Sequence, residues 1–452
     1  MHRAGGLLTV LILLGLVAGA ILGEILHRND ALDIAAAMMN WGDLVLIRPL
    51  KLLVIPIVML SVLVGVTSIG DPSRLGVIGG ATLVYYLSTM LAAVVLGAVL
   101  VTSIGPGVGL GEETVANLRA SGETAFAGEE VLKGRIDQAS EMGMGGAWSS
   151  ILDQLIPANV FQDMVEVRPL GVIVFSLALG LALAAGGSAA TPAIRGISAL
   201  FDAMMRLIRW VIWITPIGVL LLVAGTVGRI GIDEIYGPMS KYMLTVFVGL
   251  AIHAFIVLPI VLWIFTRVSP FRFMWRMKRA LLTAFGTDSS SATLPVTLET
   301  AQDEAGCSKR ASGFVLPLGS TINMDGTALY EAVAVVFLFQ LFGIDLSFTE
   351  LVVVVITATL AAVGAAGIPS AGLVTMVIVI TAVNTSLAGR GDAQLPLAAI
   401  GILLGVDRIL DMCRTTVNVW GDAVGARIIT QIAPDEEPRE DSDTRYGDAA
   451  TT

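Results

Sequence analysis

Five polar side chains recur along the last apolar segment of the chain. They are Asp407, Asp411, Arg414, Asn418 and Asp422. At 100° per residue of α-helix, these positions fall within an arc of about 80° and form one narrow polar stripe. One charged side chain at the centre of a membrane helix costs roughly 2.5–3.5 kcal/mol, so we expect the stripe to face the protein interior and to pair there. The stripe then serves either a charged solute or an ion-pair network that holds helices together.

A second polar cluster interrupts the apolar span that begins near Phe314. The letters NMDGT at 323–327 follow Gly319 by one turn and bring amide, carboxylate and hydroxyl oxygens into the span. Hard cations such as sodium take several oxygen ligands, and an unwound helix supplies them from its carbonyls. The cluster therefore favours a cation site, and a kinked helix with a hydrogen-bonded Asp325 is the alternative.

Two further segments, 271–305 and 347–387, have apolar arms around small or polar residues. Their centres read TDSSSA at 287–292 and GAAGIPSAG at 364–372. Backbone groups freed in mid-segment must face protein or a water-filled cavity, so we predict two re-entrant hairpins. Paired interrupted segments are the best sequence indication of a transporter's binding site. The serines at 289–291 offer hydroxyls and N–H groups that suit an anion, although a serine triplet alone is weak support.

The composition identifies a membrane protein. Hydrophobic residues make up 55% of the 452 residues and charged residues only 14%, against about 25% charged in soluble domains. The first apolar run resembles a signal peptide but has the length of a membrane span, which we favour. We predict an all-α fold of eight transmembrane helices plus the two hairpins. The apolar stretches are 7–27, 43–70, 77–104, 147–186, 196–228, 239–266, 312–342 and 395–430.

Basic residues predict the orientation. Five of them lie between 267 and 279 with no acid among them, and such loops are cytoplasmic. With an even number of spans, both termini are then cytoplasmic as well. The net charge of −10 comes largely from two stretches, 106–141, which this orientation places outside the cell, and the tail from Asp435 onward. The two cysteines, Cys307 and Cys413, fit no disulfide framework or metal site.

Four motifs in order resemble the dicarboxylate/amino acid:cation symporter family, the glutamate transporters. They are SSSATLP at 289–295, NMDGTALY at 323–330, GIPSAG at 367–372 and DMCRTTVNVWGD at 411–422. The resemblance covers nearly the whole chain. It implies inverted repeats, a homotrimer, and an elevator motion of a transport unit against a scaffold in the plasma (inner) membrane.

The implied division of the chain follows the family. The scaffold holds helices 1 and 2 in 1–70 and helices 4 and 5 in 147–237. The transport unit holds helix 3 in 71–104 and, in 238–432, helix 6, hairpin 1, helix 7, hairpin 2 and helix 8. An extracellular loop occupies 105–146, and an acidic cytoplasmic tail occupies 433–452.

The resemblance also implies a set of substrate-binding residues. Arg414 would pair with the substrate's side-chain carboxylate, and Asp411 would hold its amino group. Asn418 and Ser290 would hold the α-carboxylate. The remaining members of the implied set are Thr327, Thr415, Ile368 and Gly372, the last two on the second hairpin.

Three sodium sites are implied in the same way. The transported ions would be sodium, with protons and potassium as further candidates, and the family uses no cofactor. The implied ligands are Asp422, Asn418, Asn323 and Gly319 at one site; Tyr86, Thr89, Asn323 and Asp325 at another; and Thr321 with backbone oxygens of Ala362, Val363 and Ala365 at a third.

The chain departs from the family pattern at several positions. Met90 stands where many relatives have serine or threonine. The family's second arginine is missing, since Asp288 and Met412 occupy its usual places, while Arg408 has no usual counterpart. The unusual opposite charges predict an ion pair between Asp288 and Arg408. Glu331 follows NMDGTALY as in family members in which that glutamate is associated with proton coupling.

These residues predict a carrier, not an enzyme, for glutamate or aspartate, coupled to sodium and also to protons, with no nucleic-acid partner. A C4-dicarboxylate carrier is disfavoured because Asp411 would have no ammonium group to bind. A neutral amino acid carrier is disfavoured by Arg414. An intramembrane aspartyl protease fits poorly with three acids around one arginine, and a pure anion channel would conduct without accumulating substrate.

Overall fold

The computed structural model describes residues 2–69, 72–128, 134, 158–166, 168–230, 239–363 and 371–435. Every regular element in these ranges is helical. Within these described ranges, six helical stretches are long and apolar enough to cross a membrane, or seven if the bent pair Gly187–Ile212 and Thr215–Arg229 counts as one span. The chain is therefore an all-α integral membrane protein, and the count of eight spans with two re-entrant hairpins stays a prediction.

The first half of the chain contains nine α-helices and one π-helical turn among the described residues. They are α1 (His2–Arg28), α2 (Leu32–Gly42), a π-turn (Asp43–Ile47), α3 (Arg48–Ile69), α4 (Pro72–Ile104), α5 (Glu112–Gly128), α6 (Val160–Val165), α7 (Pro169–Ala185), α8 (Gly187–Ile212) and α9 (Thr215–Ile230).

The second half carries the elements around the polar stripe. They are α10 (Ser240–Ile252), a π-turn (His253–Val257), α11 (Leu258–Thr266), α12 (Pro270–Thr287), α13 (Ser290–Asp303), α14 (Lys309–Ile322), α15 (Asp325–Leu341), α16 (Phe348–Val363), α17 (Ala371–Arg390), a 3₁₀ helix (Leu397–Leu403) and α18 (Leu404–Thr430).

Helix α1 packs lengthwise against α9. The two backbones approach so closely that a Cβ on Gly19 would lie 2.7 Å from the Leu220 carbonyl oxygen. Small residues permit this kind of close helix contact in membranes. The packing agrees with the predicted first membrane helix.

Two predicted helices differ in detail from the structure. The stretch 196–228 is not one straight span, because the chain bends by 54° between α8 and α9. Pro216 explains the break: its ring opposes the carbonyl of Ile212, where α8 ends, and it has no N–H to donate. The last segment is helical from Leu397 onward, but its first turns are 3₁₀ rather than α.

Helix α18 lies at the centre of the elements that form the site. It contacts α12, α13, α14 and α15. Helices α12 and α13 form a helical hairpin that turns at Asp288 and Ser289, and α14 and α15 are separated by a break at Asn323 and Met324. Helices α16 and α17 also pack together, and the residues that join them, 364–370, lie outside the described residues.

Candidate functional site

The structure buries the whole polar stripe of α18. Asp407, Asp411, Arg414, Asn418 and Asp422 are each between 1% and 4% exposed. The predicted inward orientation is therefore confirmed. Helix α18 brings the five groups together because they share one face, and the neighbouring helices supply the partners that burial of such groups requires.

Arg414 is the one cation among the five residues of the stripe, and it is buried. Its Nε lies 2.9 Å from Asp411 Oδ1, and its Nη1 lies 2.9 Å from Asp407 Oδ1. The guanidinium carbon is 4.1 Å from the centroid of the Tyr330 ring, a cation–π contact. Its Nη2 is buried and has no hydrogen-bond partner among the described residues. The guanidinium is thus held in one orientation with donor capacity left for a ligand.

Gly372 at the start of α17 lies directly beside this guanidinium. A Cβ on Gly372 would sit 3.5 Å from Arg414 Cζ and 3.2 Å from Thr327 Cγ2. The structure therefore brings Gly372, Thr327 and Arg414 together. All three belong to the predicted set of substrate-binding residues, which need to lie close to one another. Ile368, the other predicted closing residue, lies outside the described residues.

Asn418 joins α18 to the break between α14 and α15. Its Oδ1 accepts a hydrogen bond of 2.7 Å from Gly326 N, and its Nδ2 lies 3.2 Å from Thr327 Oγ1. One turn earlier, Thr415 Oγ1 donates to Asp411 Oδ1 over 3.3 Å. The predicted residues Asp411, Thr415, Asn418 and Thr327 thus form one continuous polar surface with Arg414.

The turn of the α12–α13 hairpin presents the serine triplet. Ser289 caps α13 by accepting from Ala292 N, and Ser290 is the first residue of that helix. Ser290 is buried, and α13 contacts α18. The role of Ser290 toward a substrate carboxylate stays a prediction, supported by its place at a helix N-terminus.

The predicted ion pair between Asp288 and Arg408 is present. Arg408 Nε lies 2.7 Å from Asp288 Oδ2, and the two side chains are 28% and 1% exposed. Asp288 adopts the left-handed conformation, with φ 44°, that ends α12. The pair therefore fastens the hairpin turn to α18 at the point where the family's second arginine is missing.

A double-mutant cycle tests this pair. Arg408→Ala leaves a buried carboxylate without its counter-ion, whereas Asp288→Ala leaves an arginine that still reaches water, so we expect Arg408→Ala to be the more damaging single change. The double mutant should recover part of that loss, with a coupling energy of about 0.5–3 kcal/mol. Thermal unfolding of the purified protein and initial uptake rates measure it.

The matched control combines Asp288→Ala with Arg195→Ala, since Arg195 is an exposed arginine of α8. That combination should be additive. Strictly additive effects of Asp288→Ala and Arg408→Ala would show that the ion pair contributes nothing to stability or transport.

The first predicted cation cluster converges around Asp422. Asn323 Nδ2 donates to Asp422 Oδ1 over 2.9 Å. A Cβ on Gly319 would collide with Asp422 Oδ1 and lie 2.6 Å from the Tyr86 hydroxyl oxygen, so a side chain there would displace both groups. The chain is unwound at Asn323 (φ −91°, ψ 85°), which confirms the predicted break in the helix.

The second predicted cluster is only partly assembled by the contacts seen. Asp325 Oδ2 lies 3.0 Å from His253 Nε2, a residue that the sequence analysis did not consider. The Tyr86 hydroxyl donates to Val315 O and lies with the first cluster, while Thr89 Oγ1 bonds back to the Tyr85 and Tyr86 carbonyls of its own helix. The assignment of Tyr86 and Thr89 to a site at Asp325 stays a prediction.

The third predicted cluster includes a residue outside the described ranges, Ala365. Thr321 Oγ1 donates to Leu318 O over 3.1 Å, Ala362 is buried, and Val363 is half-buried. Helix α14, which carries Thr321, contacts α16, which carries the other two. This site also stays a prediction.

The donor atoms of the unwound region suit a hard monovalent cation. The side-chain oxygens Asn323 Oδ1 and Asp325 Oδ1 are buried and have no hydrogen-bond partner among the described residues. Carboxylate, amide and carbonyl oxygens are the ligands that such ions prefer, whereas thiolates and imidazoles select other metals. In the part of the chain that the structure describes, no group of three or more His, Cys, Asp or Glu side chains is placed to hold a metal ion.

Glu331 is buried beside this site and links two helices. It is 0% exposed on α15, and its Oε1 accepts a hydrogen bond from Thr375 Oγ1 of α17. Its Oε2 has no partner among the described residues. A carboxyl group in this position connects α17 to the helix that carries Asp325 and Thr327.

Sequence reasoning missed four partners that the fold supplies. Asp407 was placed in the stripe without a role, and His253 is the sole imidazole in the stretch 239–266, a signal that was available. Tyr330 ends the NMDGTALY motif, which does not show that its ring faces Arg414, and Thr375 has no distinguishing signal because a threonine in an apolar helix is ordinary.

Comparisons with known proteins identify the family of the chain. A model of the sodium:dicarboxylate symporter family matches residues 8–432. Excitatory amino acid transporter 3 of Mus musculus is 37% identical over 456 residues, covering 93% of this chain and 84% of that transporter. The same transporter of Homo sapiens is 36% identical over 461 residues, covering 94% and 84%. Neutral amino acid transporter B(0) of Homo sapiens is 34% identical over 453 residues, covering 96% and 81%.

The chain therefore belongs to the sodium:dicarboxylate symporter family. Its family and relatives are transporters and not enzymes, which confirms the predicted class and excludes the intramembrane protease.

Proposed function

We propose that this protein carries glutamate or aspartate across the plasma (inner) membrane, driven by sodium and also by protons. The observation that carries the proposal is the buried guanidinium of Arg414, held by Asp407, Asp411 and Tyr330 with Nη2 unpaired among the described residues. An acidic side-chain carboxylate matches that donor, and the neighbouring Asp411 matches an ammonium group.

The relatives support an amino acid substrate but differ in its charge. Two of them are named excitatory amino acid transporters and a third a neutral amino acid transporter, at similar identity. A neutral substrate would leave the buried Arg414 without a carboxylate of the ligand, so the acidic substrate is favoured. A neutral amino acid carrier is the second candidate because of that third relative.

The coupling mechanism follows from the charges of the site. Asp325 and Asp422 are buried carboxylates, and sodium bound there would offset their charge before substrate arrives. Since each ligand stabilises the arrangement that binds the other, their affinities are reciprocally coupled. Closure of the second hairpin at Ile368 and Gly372 would then enclose the substrate.

The transport movement we propose is that of an elevator. The unit formed by 71–104 and 238–432 would move against a scaffold of 1–70 and 147–237 within each subunit of a homotrimer, with eight spans, two re-entrant hairpins and cytoplasmic termini. The contacts of α18 with α12, α13, α14 and α15 support a single binding unit in the last third of the chain.

Reconstitution into liposomes tests the proposal. Labelled glutamate, aspartate, succinate and serine are supplied under imposed sodium, proton and potassium gradients. We expect glutamate or aspartate to accumulate under an inward sodium gradient and the accumulation to disappear when that gradient is dissipated. Accumulation of serine without the acidic amino acids would favour the neutral carrier, and anion current without accumulation would indicate a channel.

A further inference from the structure

His253 lies at an irregularity in the middle of an apolar span. Helix α10 ends at Ile252, and a five-residue π-turn from His253 to Val257 leads into α11. Such π-turns are rare and frequently accompany functional sites. The imidazole is 0% exposed, and a polar ring buried in an apolar span is costly unless it is hydrogen-bonded.

The hydrogen bond of this imidazole goes to a carboxylate of the cation region. His253 Nε2 lies 3.0 Å from Asp325 Oδ2, and both side chains are 0% exposed. His253 Nδ1 has no hydrogen-bond partner among the described residues. The tautomer that carries its hydrogen on Nε2 leaves no N–H unpaired there, so Nε2–H is the donor and Asp325 Oδ2 the acceptor.

Two further contacts fix this pair in place. Trp420 of α18 donates from Nε1 to the carbonyl of Ala254, the residue after His253, over 3.0 Å. On the other side of Asp325, a Cβ on Gly421 would lie 2.9 Å from Asp325 Oδ2. The π-turn and α18 therefore enclose one oxygen of Asp325, while Oδ1 has no partner among the described residues.

We propose that His253 is a positioning residue for the transported cation. By holding Asp325 Oδ2 it orients the carboxylate so that Oδ1 alone is presented to the ion. The inference rests on the proposed function, in which Asp325 binds sodium.

The test compares variants that keep or remove the donor. His253→Gln retains an N–H at nearly the same reach, and His253→Leu removes it. In proteoliposomes at fixed labelled substrate, we expect His253→Leu to raise the half-saturating sodium concentration about 10- to 100-fold, the usual cost of losing a hydrogen bond to a metal-binding carboxylate. His253→Gln should stay close to wild type, and the substrate KM at saturating sodium should change little in either variant.

Two controls separate positioning from folding. His27→Leu on α1 changes another histidine and should leave the sodium dependence unaltered. In an Asp325→Asn background, adding His253→Leu should cause no further change, because the carboxylate that it positions is gone. If His253→Leu does not fold, His253→Asn replaces it. The asparagine amide is too short to reach Asp325, so His253→Asn and His253→Gln still compare a variant without this hydrogen bond with one that keeps it.

The outcomes distinguish this inference from the proposed function. The positioning role alone would be overturned if wild-type uptake is driven by sodium but folded His253→Leu has an unchanged sodium dependence. The same holds for folded His253→Asn where that variant is used instead. An equal loss in His253→Gln and His253→Leu would also overturn it, because the donor would not be what matters. Wild-type uptake that does not depend on sodium would overturn the proposed function and this inference together.

Discussion

Arg414→Cys is expected to abolish glutamate and aspartate uptake while sparing or creating uptake of serine or alanine. Losing one partner of a desolvated charge pair costs about 2–5 kcal/mol, or roughly 30-fold or more in affinity. The structure adds a second consequence: Asp407 and Asp411 both pair with Arg414, so the variant leaves two buried carboxylates without their cation. We therefore expect Arg414→Cys to be less stable as well as altered in selectivity.

Competition binding at saturating sodium measures this selectivity. Adding Asp407→Asn to Arg414→Cys removes one of the two buried charges that have lost their cation. The double variant should therefore regain stability and uptake of neutral substrates without regaining aspartate affinity. Arg427→Cys, near the end of the same helix, is the matched control and should keep the acidic preference. An unchanged aspartate affinity in folded Arg414→Cys would show that Arg414 does not bind the substrate's side-chain carboxylate.

Glu331→Gln is expected to preserve substrate binding and exchange but to remove the pH dependence of net uptake. Glu331 is fully buried, and its contact is with the neutral hydroxyl of Thr375. An ionised carboxylate without a cationic partner is costly in such surroundings, so we expect the substrate-loaded carrier to move with Glu331 protonated. Glutamine imitates that neutral form permanently, which blocks the step in which the proton leaves.

A proton-sensitive dye trapped in proteoliposomes measures proton entry alongside labelled substrate. Glu350→Gln is the matched control: Glu350 is also buried, but its Oε2 lies 3.0 Å from Arg390 Nη1, so it has a cationic partner. That variant should lose stability and keep the pH dependence of uptake. If wild-type uptake is not accompanied by proton entry, proton coupling is wrong and Glu331 has only a structural role.

The sequence alone was sufficient for the features that depend on local periodicity. The polar stripe follows from spacings within one helix, and the break at Asn323 and the turn at Asp288 follow from residues that disfavour continuous helix. The family resemblance extended this to nearly the whole chain, and the membership is confirmed. The division into scaffold and transport unit, the trimer and the roles of individual residues stay predictions.

Only the tertiary structure decided which groups on different helices meet. The ring of Tyr330 on α15 lies against Arg414 of α18. Thr375 of α17 bonds Glu331 of α15, and His253 of the π-turn bonds Asp325 of α15. Such contacts depend on how helices cross and rotate against one another, which no local pattern encodes. The pair of Asp288 and Arg408 was the exception, because two unusual charges of opposite sign marked it in advance. Thr375 carries no comparable mark, and the single histidine of its apolar span, His253, indicates a buried polar contact without showing which group it meets. That group is the one that packing brings within hydrogen-bonding distance.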